Sequence, residues 1–239
     1  MCRMVGISKF SYLKHSSIIE EFIYLSKNGK TLPGDPPGHE DGWGIGYYYN
    51  GSAKTVKSSN SALLDKAKIL STIKSIENSP TLIFHLRKSA WKDTTSVVNS
   101  HPFIDNNIIL AHNGTIRDYK KLIPLIHNSS KLLESSLDSE IFLKFINSTQ
   151  ELSLESSFVK AVRYINKNNI YSSLNCVFSD GIDLYGFREY SQNPEYYTLF
   201  RAVAERSIII SSEMITGIKN WEEIKPGELS INQRELSIL

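Results

Sequence analysis

The strongest constraint on how this chain folds is that its extended segments come in neighbouring pairs, with helical stripes only between the groups. Residues 43–49 form an aromatic-rich run, Asn50-Gly51 is a strong two-residue hairpin signal, and residues 53–57 supply the partner strand. Residues 173–178 read as a strand that Asp180-Gly181 turns into residues 182–187. Residues 197–201, 207–211 and 228–231 continue the series, and the apolar runs 2–7, 81–86 and 108–111 read as buried strands. Helical spacing marks residues 16–26 (Ile18, Ile19, Phe22, Ile23 and Leu25, closed by Asn28-Gly29), 63–76, 137–146 and 158–165. Residues 33–38 are too rich in Gly and Pro for a helix or a central strand. Hairpins grouped between helices predict an α+β layered fold rather than a doubly wound parallel sheet. No repeat or boundary divides the chain, so residues 1–239 are expected to form one domain.

The bulk properties narrow the functional classes. A chain of 239 residues, 41% hydrophobic, can bury a full core without staples. A net charge of +2 with scattered basic residues disfavours nucleic acid or a membrane as partner. The two cysteines, Cys2 and Cys176, lie in no metal-binding spacing, so no metal or cofactor is expected and a reducing compartment is the default. There is no signal-peptide core, and apolar runs such as Ile208-Ile209-Ile210 are too short to span a bilayer. A cytoplasmic protein is expected.

Four positions invite a chemical reading, each beside a plainer one. Cys2 is on its face an early core residue. Removal of Met1, however, puts a thiol and a free α-amine on one residue. Such an amine, with an unperturbed pKa of roughly 7.7–8.0, can act as general base to its own thiol. Asn113-Gly114 follows an apolar strand; it is an ordinary turn, or an amide and a backbone N–H aimed at one oxygen. Arg87 ends a strand and suits either a surface ion pair or bidentate capture of a carboxylate. Asp138 begins a helix as a cap, or receives an ammonium.

The order and spacing of these residues narrow the choice. With His39-Glu40-Asp41-Gly42-Trp43-Gly44-Ile45-Gly46, Phe84-His85-Leu86-Arg87, Asn99-Ser100-His101-Pro102-Phe103, Ala111-His112-Asn113-Gly114 and Leu137-Asp138-Ser139-Glu140, the chain resembles the class II glutamine amidotransferases, a branch of the N-terminal nucleophile (Ntn) hydrolases. The Asp-Gly-Trp-Gly motif and the late Trp221 to Pro226-Gly227-Glu228 segment resemble the stand-alone, glutaminase-like members.

The resemblance implies a four-layer αββα sandwich. It also implies Cys2 as nucleophile with its α-amine as base, and Asn113 and Gly114 as oxyanion hole. Arg87 would hold the substrate α-carboxylate and Asp138 the α-ammonium. Asp41, Gly42, Trp43 and His101 are expected to line the site. His85 and His112, like His101, are read as bonding loops around it, and Cys176 as a small core residue. Arg3 replaces the Gly that follows the nucleophile in larger members. Ala90 and Trp91 stand where those members carry Thr and His, so the resemblance leaves a second carboxylate contact and strict glutamine specificity open.

The expected chemistry is cleavage of the γ-amide of glutamine or a γ-glutamyl compound through a thioester on Cys2. The released ammonia is handed to a partner subunit or simply lost. One alternative is a γ-glutamyl hydrolase acting on a glutathione-like γ-glutamyl thiol; another is a non-catalytic γ-glutamyl-binding subunit.

Overall fold

The computed structural model describes residues 2–89, 94–127, 137–232 and 234–239. Strand β1 (Arg3–Ser11) runs directly into helix α1 (Tyr12–Asn28). The hairpin of β2 (Trp43–Tyr49) and β3 (Ser52–Ser58) follows, turning at Asn50 and Gly51, both at positive φ. Helix α2 (Lys66–Ile76), strand β4 (Asn78–Leu86), the short β5 (Phe103–Asp105) and β6 (Ile108–Ile116) come next. After a short 3₁₀ helix, Tyr119–Leu125, come α3 (Asp138–Ser148), α4 (Leu154–Asn168), β7 (Tyr171–Ser179) and β8 (Leu184–Arg188). Strands β9 (Phe200–Ala204), β10 (Ser207–Ser211), β11 (Glu222–Glu223), β12 (Glu228–Ile231) and β13 (Arg234–Ser237) complete the chain.

These strands make two antiparallel sheets. The first has the order β11-β9-β10-β1-β4-β2-β3 and the second β13-β12-β8-β7-β6-β5. Period-two alternation gives each sheet two apolar faces, and hence three core layers. On β1, Val5 and Ile7 join Ile19, Phe22 and Ile23 of α1 and Ile69 and Ile73 of α2. Met4, one step out of phase, meets Ile109, Ala111 and Val177 of the second sheet. The outer face of that sheet buries Leu110, Leu174 and Phe178 against Phe142 of α3 and Phe158 of α4. Each such side chain contributes about 1.5–3 kcal/mol when fully buried. The result is the αββα sandwich that the resemblance implies.

The sheets approach closely where side chains are missing. A Cβ on Gly6 would sit 2.6 Å from Val177 Cγ1, so glycine at this point of β1 sets the spacing of the two sheets.

The structure corrects several sequence expectations. Asn113-Gly114 is not a turn at a strand end; β6 runs through it to Ile116, with Asn113 opposite Asn175 and Gly114 opposite Leu174. The strand expected at 197–201 lies instead at Phe200–Ala204, because Tyr196 and Tyr197 pack in a separate buried cluster. Strands β5, β11 and β13 were not expected; β11 and β13 are short, and the burial of both is uniformly low.

Candidate active site

Strand parity brings the key groups together. Asn113 lies on the same face of β6 as Ile109 and Ala111, the face turned toward the first sheet. Cys2 immediately precedes β1 and shares the parity of Met4, which points at that same interlayer. The Cys2 backbone N–H accordingly donates to Asn113 Oδ1 at 3.0 Å, and the Cys2 thiol donates to the Lys88 carbonyl at 3.5 Å. With Oδ1 committed to Cys2, Asn113 Nδ2 remains a fully buried donor with no hydrogen-bond partner among the described residues. A donor buried without a protein partner is costly, and such groups are met by a water, a ligand or a transient charge.

Gly114 is required for space. A Cβ there would lie 1.9 Å from the Ser173 carbonyl oxygen, so no other residue fits this register of β6 against β7.

Arg87 and Asp138 line the same cavity as Cys2, together with Lys88, Ser89, His101, His112, Gly114 and Ser139. The Arg87 guanidinium is buried and donates to Thr94 Oγ1 at 2.9 Å, Ser89 Oγ at 3.2 Å and the Asp41 carbonyl at 3.4 Å. It meets no carboxylate among the described residues. Asp138 is also buried; its Oδ2 accepts the Ile116 N–H at 2.8 Å and forms no ion pair among the described residues. Burial raises the Asp138 carboxyl above the ordinary aspartate value, against the opposing pull of His112 and backbone N–H groups. Besides Lys88, whose ammonium turns to backbone carbonyls, the cavity wall thus carries one cation and one carboxylate in no ion pair among the described residues, the complement of an α-amino acid zwitterion. The cavity measures about 40 Å³.

Asp41 and Gly42 stand behind Arg87 rather than in the cavity. Asp41 N–H donates to the Arg87 carbonyl at 3.0 Å, and Arg87 N–H donates to the Gly42 carbonyl at 2.8 Å. Asp41 Oδ2 also accepts the Ser89 N–H at 2.7 Å, so the segment fixes the backbone on both sides of the arginine's neighbour Lys88. Trp43 does not reach the site: it is fully buried on the helical side of the first sheet, edge-on to Phe84, with Nε1 donating to Asp65 Oδ2. Lys88 Nζ donates to the carbonyls of Pro36 and Gly38, tying the Gly/Pro-rich loop to the segment that follows Arg87.

The histidines divide. His112 Nε2 faces the Ser173 carbonyl at 3.0 Å and must therefore carry the proton; burial lowers its pKa, so Nδ1 accepts from Ser139 Oγ at 2.9 Å. His101 bonds no loop among the described residues. It stacks on His85 with ring centroids 4.4 Å apart, and burial followed by its basic neighbours holds its pKa well below the usual value. Cys176 faces the core beside Phe178, and burial pushes its thiol up, away from nucleophilic use.

Arg3 is the residue whose part sequence reasoning missed. Its guanidinium is fully buried, donates to the Cys2 carbonyl at 3.1 Å and to the Lys30 carbonyl, pairs with Glu213, and lies 4.5 Å over the Tyr196 ring. The signal was a cation at the start of an otherwise apolar strand. Ala90 and Trp91 lie outside the described residues, as does Met1. Among the described residues no group of three His, Cys, Asp or Glu could hold a metal ion, and no helix is long and apolar enough to cross a membrane.

Residues 1–202 match the class-II glutamine amidotransferases, and the chain belongs to that family. It is by class an N-terminal nucleophile amidohydrolase. An uncharacterized protein of Methanocaldococcus jannaschii, MJ1515, is 26% identical over 97% of this chain and 69% of its own length. The glutamine phosphoribosylpyrophosphate amidotransferase of B. subtilis has a similar fold, with TM-score 0.73 and 16% identity. It covers all of this chain, which spans only 49% of that enzyme's length. A glutamine aminotransferase class-II domain protein from Silicibacter pomeroyi superposes over the full length of both chains, with TM-score 0.68 and 16% identity.

Proposed function

We propose that this protein hydrolyses the γ-amide of glutamine or of a γ-glutamyl compound through a γ-glutamyl thioester on Cys2. The observation that carries the reading is the bond from Cys2 N to Asn113 Oδ1, which leaves Nδ2 as an unpartnered buried donor beside the nucleophile. Such a donor waits for a charge that exists only during reaction, the oxyanion of a tetrahedral intermediate. Arg87 grips the α-carboxylate and Asp138 the α-ammonium, so the γ-carbon is delivered to Sγ. Processing at Met1 frees the Cys2 amine to take the thiol proton and pass it to the leaving nitrogen. Strands β12 and β13 lie beyond the family match yet pair within the second sheet, which supports reading residues 1–239 as one amidotransferase-type domain.

The test is covalent trapping. Protein whose N-terminus has been read by mass spectrometry is treated with a glutamine-mimicking electrophile, and the adduct is mapped. Stoichiometric modification of Cys2, prevented by glutamine, is expected. Failure to label Cys2, or labelling indifferent to glutamine, would remove the nucleophile assignment.

The clamp has a pH signature. Because burial raises the Asp138 pKa, its charge is lost on acidification at a higher pH than for an ordinary aspartate. The KM for glutamine should therefore climb as pH falls through that raised pKa. An analogue lacking the α-amine should show no such rise, and Asp138→Asn should flatten the glutamine profile. Parallel profiles for the two substrates would return Asp138 to the role of a structural acceptor for Ile116 N–H.

A further inference from the structure

The register of β6 on β7 breaks just beyond the oxyanion residues. Gly114 pairs with Leu174, but Ile116 pairs with Tyr171, so an irregularity falls at Thr115. There Thr115 N–H donates to Ser172 Oγ at 3.1 Å, and the Tyr197 hydroxyl donates to the same oxygen at 3.1 Å. A groove of about 850 Å³ opens at this point, against about 40 Å³ for the nucleophile's cavity. The two share Ser89 and Thr115 as common wall. Anything leaving the γ-carbon on Cys2 across that wall enters the groove.

Its lining is polar and carries two charged side chains, Asp35 and Arg117. Neither is in an ion pair among the described residues. With Tyr197 they belong to the wall of one groove. Ammonia would need no groove of this size and no guanidinium.

We propose that this groove is a leaving-group subsite, and that the group it takes is the amino acid or short peptide of a γ-glutamyl amide. Arg117 holds the leaving group's carboxylate, and Asp35 supplies the counter-charge for its amine once released. This rests on the reading of Cys2 given above. The step balances without a further reactant. Sγ bonds to the γ-carbon, the C–N bond breaks, and the departing amine takes the proton drawn from the thiol. Water then cleaves the thioester to glutamate and regenerates the thiol.

The experiment compares kcat/KM for γ-glutamylalanine, γ-glutamylethylamide and glutamine, in the wild type and in Arg117→Gln. The ethylamide has the same amide bond but no leaving-group carboxylate. We expect γ-glutamylalanine to exceed the ethylamide by about tenfold in the wild type, from one charge-assisted contact. The ratio should collapse toward one in Arg117→Gln, an exposed position whose replacement leaves the melting temperature as a check on folding. Equal kcat/KM for the two amides, or a ratio unmoved by Arg117→Gln, overturns the subsite while labelling of Cys2 by the electrophile keeps the nucleophile. Absence of both turnover and labelling overturns the nucleophile reading and the subsite with it.

Discussion

Cys2→Ala is expected to remove hydrolysis of glutamine and of every γ-glutamyl amide, by about 10⁴–10⁶-fold in kcat, while the protein stays folded. The loss is large because the thiolate makes the bond that divides one difficult acyl transfer into two easier ones. In the proposed mechanism Asn113, Arg87 and Asp138 are untouched by this change, so binding of glutamine should persist in the inactive protein. Stability should change little, since the sulfur's one polar contact among the described residues is the 3.5 Å approach to the Lys88 carbonyl. A thiol is a weak donor, and its loss costs about 1 kcal/mol or less. The backbone features that position residue 2, the bonds to Asn113 and from Arg3, do not involve the side chain. Turnover, glutamine binding by calorimetry and thermal melting measured together decide the matter. Activity near wild type with an intact fold would move the chemistry away from Cys2.

The layered fold was legible because its signals are local. The Asn50-Gly51 hairpin needs positive φ at both residues, and the helical stripe of Ile19, Phe22 and Ile23 repeats at the spacing that buries one face. The second Asn-Gly pair misled for an instructive reason. Asn113-Gly114 has the same letters, but glycine is needed there for want of a Cβ against the Ser173 carbonyl, not for its φ. The two demands look alike in one sequence and differ only once β7 is in place. Trp43 belongs to the same category: its motif surrounds the site, yet alternation along β2 sends its ring to the helical side, and Asp41 and Gly42 do their work on the backbone of Arg87. Arg3 showed only as a cation at the start of an apolar strand, and Arg117 carried no pattern at all. Their surroundings come from Glu213, Tyr196 and Tyr197, far away in the chain.

Asn113 is the residue on which the chemistry should turn next most steeply. Asn113→Ala is expected to lower kcat by about 10²–10³-fold with little change in KM, because the donor it removes serves an oxyanion present mainly in the transition state. The alanine variant alone is ambiguous, since Asn113 has two jobs. Its Oδ1 receives the Cys2 nitrogen, and its Nδ2 is the buried donor left without a partner among the described residues. Losing the first misplaces the nucleophile and its base; losing the second leaves the oxyanion unsupported. Asn113→Asp separates them. An aspartate keeps an oxygen for the Cys2 nitrogen but has no donor, and it sets a negative charge where negative charge must develop. Supporting the oxyanion therefore requires Asn113→Asp to fall at least as far as Asn113→Ala. Recovery of activity in the aspartate variant would show that positioning Cys2 is the residue's whole contribution, and the oxyanion would then need another donor.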